Sequence, residues 1–126
     1  MYLRFATIRI DGDSHKPQGV FKAAYVLLDS GELDRVEWKR LRELLDWFGE
    51  NLPVPPDEFD ARRAVFWFKS TARENITRVW ELVGILRMYG YHVTVYKCRR
   101  LGNVCFRDKF QIAAYASDLD GRIAMQ

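Results

Sequence analysis

The segment Asp11-Gly-Asp-Ser-His-Lys-Pro-Gln-Gly19 crowds two carboxylates, a hydroxyl, an imidazole and an amine into one short stretch. Asp11, Asp13 and His15 alternate, so an extended backbone would set all three side chains on one side. That spacing suits a divalent ion or a metal-bound phosphate. With Ser14 these residues make up a candidate ligand site, Asp11, Asp13, Ser14 and His15, whose metal is not identified by the pattern. A helix is expected a few residues on, and its N-terminal N–H groups favour an anion. The same residue types also build a tight strand-to-helix turn in which Ser14 or Asp13 caps the helix. The loop lacks the Gly-x-Gly or Gly-Lys-Ser/Thr elements of nucleotide loops.

A second cluster is basic. Lys97, Arg99, Arg100, Arg107 and Lys109 fall on an expected β-hairpin over residues 97–109, interleaved with Tyr96 and Phe106 and opposed by Asp108. Such a hairpin tracks phosphates and stacks bases, the chemistry of nucleic-acid or other polyanion binding. Lys and Arg also protect exposed strands from edge pairing. Cys98 and Cys105 flank the Gly102-Asn103 turn and would pair directly across it if residues 100–103 form the loop, or stand as diagonal neighbours if Gly102-Asn103 alone is the turn; either register puts them on one sheet face with His92, Thr94 and Tyr96. No fourth zinc ligand and no Cys-x-x-Cys knuckle accompanies them, so two packed thiols are expected, and no cofactor. His92-Val-Thr94 resembles one half of the paired His-x-Thr motif of two-histidine phosphoesterases. The chemistry there needs a second motif, and His15 is followed by Lys16 and Pro17. Neither a Gly-x-Ser-x-Gly elbow nor a His-Glu-x-x-His helix is present. No catalytic residue is assigned, and the reading leans away from an enzyme.

These residues must be positioned by a chain of 126 residues, the length of one domain, which buries about two thirds of its unfolded surface. Residues 2–10 alternate as a strand. A helix follows over about Gly19–Asp29, with Val20, Phe21, Ala24, Leu27 and Leu28 on one face and Gly31 as its stop. A second helix runs from Asp34 to Phe48, with Glu37 at the capping-box position and Trp38, Leu41, Leu44, Leu45 and Phe48 facing inward. Gly49–Pro56 reads as an extended internal connection. Ala64–Lys69 suits a strand. A third helix covers about Thr71–Tyr89 on a stripe of Ile76, Val79, Trp80, Val83 and Leu86, and Gly90 ends it. Strands over Tyr91–Arg99, Val104–Arg107 and Phe110–Ala116 close the chain, and the tail 117–126 is expected to fray. The order β-α-α-β-α-β-β-β implies an α+β fold, with helices on one face of a mixed or antiparallel sheet ending in a β-meander.

The net charge of +3 conceals an asymmetry: eight Lys/Arg against twelve Asp/Glu in residues 1–60, and twelve against five in 61–126. Four Trp, six Tyr and eight Phe are more than one small core needs, which points to a groove or interface. Arg4 and Arg9 interrupt the N-terminal stretch, which therefore lacks a signal-peptide h-region. No apolar run reaches the ~20 residues of a membrane span. Two cysteines are too few for a disulfide scaffold, so a cytoplasmic protein is expected.

Three blocks, Asp13-Ser-His-Lys-Pro-Gln-Gly-Val-Phe-Lys-Ala-Ala-Tyr25, Leu44-Leu-Asp-Trp-Phe-Gly-Glu-Asn-Leu-Pro53, and Phe66-Trp-Phe-Lys-Ser70 leading into Val79-Trp-Glu-Leu-Val83, resemble a set of small uncharacterised bacterial proteins of similar length. The resemblance implies a single domain and transfers no activity or site residue. The leading expectation is a non-catalytic binding protein, its partner another protein or a second copy of itself. Polyanion binding at 97–109 and a metal or phosphate site at 11–19 are the alternatives.

Overall fold

The computed structural model describes residues 1–54 and 63–115 and the backbone of 123–125. Its first strand, Tyr2–Ile10 (β1), alternates as the sequence implies. Leu3 and Phe5 enter one core cluster and Tyr2 the other, on opposite sides of the sheet. The chain doubles back through Pro17–Gly19 (β2) and passes directly into Val20–Leu28 (α1) and then Arg35–Asn51 (α2). Ala64–Lys69 (β3), Arg73–Met88 (α3), Val93–Cys98 (β4), Val104–Arg107 (β5), Gln111–Tyr115 (β6) and Ile123–Met125 (β7) follow. The sheet order is β5-β6-β3-β1-β4-β7, with β2 also on β1, and every pair is antiparallel. This is the expected α+β class, and its sheet is antiparallel throughout.

Local chemistry sets the helix ends. Asp34 Oδ1 accepts from the Glu37 N–H at 2.8 Å and starts α2. Gly31 and Gly90 take φ of +79° and +86°, the left-handed region open to glycine after a helix. Helix α2 runs on through Gly49 to Asn51, whose Nδ2 donates to the Trp47 carbonyl at 2.8 Å. The expected connection therefore starts later than Gly49, and its last residues, 55–56, lie outside the described residues.

The main core joins all three helices to one sheet face: Phe5, Phe68, Val93 and Val95 beneath Ala24, Leu27, Leu41, Leu45, Val79, Val83 and Leu86. Two expected inward tryptophans depart from it. Trp38 is 44% exposed because it sits in the first turn of α2, ahead of Leu41, where the buried stripe begins. Trp80 is equally exposed, with its ring at right angles to Phe5 at 5.1 Å, because the α3 stripe centres on Val79, Leu82, Val83 and Leu86.

The opposite sheet face carries a smaller cluster of Val65, Trp67, Cys98 and Ile112, with Leu101 packed against it. Here the expected meander fails. β4 pairs β1 and β7, not β5, and residues 99–103 pass from one to the other with Leu101 on this second face. Register explains the choice: Phe5 opposite Val95 and Thr7 opposite Val93 set the valines of β4 under the helices. β5 and β6 alone form the hairpin, with Asp108 in its turn. The tail expected to fray lies outside the described residues except for β7, which pairs β4.

Candidate functional site

β1 and β3 pair only at Tyr2↔Lys69 and Leu3↔Phe68. Beyond Leu3 the same edge of β1 is taken by β2, at Ala6↔Gly19 and Ile10↔Pro17. The sheet therefore forks, because the 11–16 turn folds β1 back on itself. The Asp11 N–H donates to the Lys16 carbonyl at 2.8 Å and the His15 N–H to the Asp11 carbonyl at 2.9 Å, with His15 at φ +61°. Ser14 Oγ donates to Asp11 Oδ2 at 3.1 Å and accepts from the Lys16 N–H at 3.3 Å.

Within the fork lies a cleft of about 250 Å3. Phe5, Val20, Phe21, Trp67 and Phe68 give it an apolar wall, while Arg4, Asp11, Ser14, Lys22 and Gln111 supply its polar groups. Arg4 is 8% exposed and donates to the Pro17 carbonyl. Its guanidinium lies against Gly19, where a Cβ would sit 3.9 Å from it. Gly19 is the N-cap of α1, which has no side-chain cap and no acidic residue in its first turn. Lys22 Nζ donates to Asp11 Oδ1 at 2.8 Å. That ammonium holds the Asp11 carboxyl below the usual carboxylate range, and Asp11 in turn raises Lys22. Gln111, itself buried, donates from Nε2 to the Pro53 carbonyl and to Asp108 Oδ2, both at 3.0 Å. The arrangement sets the Arg4 guanidinium, the Asp11–Lys22 ion pair and a helix N-terminus beside an apolar surface.

The structure thus divides the loop candidates. Asp11 and Ser14 line the cleft, whereas Asp13 and His15 are exposed on the turn. Among the described residues no three His, Cys, Asp or Glu side chains come together as a metal site. Neither Ser14 nor Asp13 caps α1. Arg4, Lys22 and Gln111 were not among the sequence candidates. Two signals pointed to the first two: a charge between Leu3 and Phe5 inside an apolar strand, and a first turn of α1 carrying Lys22 and no acid.

The basic residues are placed differently from the expected hairpin. Lys97 lies near the end of β4 and Arg99 and Arg100 just beyond it, while Arg107 and Lys109 belong to the separate β5–β6 hairpin. Cys98 and Cys105 are free thiols, with β1, β3 and β6 between their strands, so they do not face one another. Burial pushes the Cys105 thiol up. His92 is exposed just before β4, beside Arg87 and Tyr91 in a shallow depression. No helix among the described residues is long and apolar enough to cross a membrane. Compared with protein families, curated proteins and solved structures, the chain matches none.

Proposed function

We propose that the protein binds a small organic anion in the fork of its sheet: a carboxylate or phosphate head on an aromatic or branched apolar body. The observation that carries this reading is the buried Arg4 guanidinium against Gly19, at the uncapped start of α1, in a cleft walled by Phe5, Phe21, Trp67 and Phe68. Mostly apolar clefts with a few convergent polar groups are the usual shape of small-ligand sites. Of the aromatic surplus that suggested association with another protein, Phe5, Phe48, Trp67 and Phe68 are buried, while Trp38 and Trp80 stay exposed on α2 and α3.

The test is thermal unfolding with phenyl phosphate, benzoate, inorganic phosphate and the neutral benzyl alcohol. At about a hundredfold excess over Kd a ligand adds about 2.7 kcal/mol, readily seen as a rise in Tm. The aromatic anions should stabilise, the neutral compound should not, and Arg4→Met or the milder Lys22→Gln should reduce the shift. Equal stabilisation by benzyl alcohol, or no shift with either aromatic anion, refutes the reading.

A further inference from the structure

The register brings one end of the sheet together. Tyr2 pairs both Cys98 and Lys69, Phe68 pairs Gln111, and the Lys69 N–H donates to the Phe110 carbonyl at 2.8 Å. The close of β4 with Arg99 and Arg100, the close of β3 with Lys69, and the β5–β6 turn with Arg107 and Lys109 therefore share this end. The carboxylate in that turn is already engaged. Asp108 Oδ1 accepts from the Phe110 N–H at 2.7 Å and the Gln111 N–H at 2.9 Å, and Oδ2 accepts from Gln111 Nε2 at 3.0 Å.

Beside this rim, where β3 hands over to α3, is a second cavity of about 260 Å3, lined by Trp47, Thr71, Arg73, Asn75 and Phe110. Asn75 is 3% exposed, and its Oδ1 has no hydrogen-bond partner. A buried acceptor left unmet calls for an explanation, and here it belongs to a cavity wall. The groups around it narrow the choice. Trp47, stacked on its far neighbour Arg78 at 4.3 Å, and Phe110 offer aromatic surface. The N-terminus of α3, with Arg73 in its first turn, favours an anion. Glu74, the one acid at the mouth, is 3.6 Å from Arg78. The volume, like that of the fork cleft, lies just below the roughly 300–1,000 Å3 of drug-sized sites and leaves room for one planar heterocycle.

We propose that this end of the molecule binds single-stranded nucleic acid: one base enters the Trp47–Phe110 cavity and gives an amino or imide N–H to Asn75 Oδ1, while flanking phosphates lie along Lys69, Arg73, Arg99, Arg100, Arg107 and Lys109. An acidic peptide would satisfy the rim but brings no planar heterocycle to the aromatic surfaces of Trp47 and Phe110. A duplex holds its bases stacked and paired, away from the cavity. The inference is independent of the cleft in the sheet fork.

The experiment is fluorescence anisotropy of the full chain with labelled RNA and DNA of about 12 nucleotides, within the range of single-strand site sizes. Controls are the same strand with abasic sites, its duplex, and heparin as competitor. Six phosphate contacts predict a slope of log K against log salt of about −4, and Arg107→Gln with Lys109→Gln should lower it by about 1.4. Abasic substitution should weaken binding about tenfold, within the range of one stacked base. Asn75→Leu should reduce that difference by removing the hydrogen bond; Phe110→Leu, at a half-buried turn position, should reduce it through the stacking surface and tests the same base site should Asn75→Leu fail to fold. RNA against DNA tells which sugar is preferred. Equal affinity for intact and abasic strands, equal affinity for the duplex, or no binding at low salt overturns the proposal.

Discussion

Replacing Asp108 separates two roles of one carboxylate. In the β5–β6 turn it accepts the Phe110 and Gln111 N–H groups at 2.7 and 2.9 Å and the Gln111 side chain at 3.0 Å. Gln111 is 4% exposed and also reaches the Pro53 carbonyl, so this turn fixes one wall of the fork cleft. Hydrogen bonds to a charged group contribute about 1.5–3 kcal/mol when buried and less when water competes. At about 1 kcal/mol each for a half-buried turn, Asp108→Ala should cost about 2–3 kcal/mol. Asp108→Asn keeps an oxygen for the two backbone groups but sets an amide donor against Gln111 Nε2, so about half that loss is expected. Urea denaturation should show the midpoint falling with m unchanged, in the order wild type, Asn, Ala. Both variants also remove a negative charge from the basic rim, so affinity for a single strand should rise while stability falls. A loss below about 0.5 kcal/mol in Asp108→Ala, within the range of ordinary surface substitutions, would refute the account of the turn. Equal losses in Ala and Asn would refute the assignment of the two oxygens.

Other outcomes follow from single contacts. Asp34→Ala removes the α2 cap and should cost about 1 kcal/mol, or about 4 °C in Tm, with Asp34→Asn restoring most of it. Trp67→Ala, at 1% exposure, should cost about 3–5 kcal/mol in chemical denaturation. The Asp11 carboxyl is held down by Lys22, so its contribution is present above the ordinary carboxylate pKa and lost as pH falls through the lowered value. Stability curves of Asp11→Asn should accordingly be flatter than wild type in that acid window. Because burial raises the Cys105 thiol, iodoacetamide should label it more slowly than a free cysteine at pH about 8, and Cys98 should react only on unfolding.

Much of the fold was legible because it is local. The alternation of β1, the Asp34 cap and the glycines at 31 and 90 each announce an element from neighbouring residues alone. β2 escaped notice because Pro17–Gly19 has no apolar alternation, and it is a strand only because β1 leaves an edge free there. The partner of β4 was misread for a related reason. The Gly102-Asn103 pair suggests a hairpin, but the packing of Val93 and Val95 under the helices sends β4 to β1 instead. The fork cleft was legible only in part. Asp11 and Ser14 stood out by type, whereas Arg4 acquires its meaning from the divergence of β1 and β3, a fact of tertiary pairing. Asn75 carried no sequence signal, since only its burial distinguishes it from any polar residue early in a helix.

The central place of β1 bears on how the chain is made. The middle strand of the sheet is synthesised before the other strands, and its longest pairing, Tyr2–Thr7 with Val93–Cys98, waits until β4 has emerged. Until then one edge of β1 is an open template for another nascent chain. Among the described strands β2 is its first companion, folding back within a few residues to occupy the far half of the other edge. The 11–16 turn is thus also a guard during translation, and variants that loosen it should aggregate on expression before any loss is measurable in the finished protein.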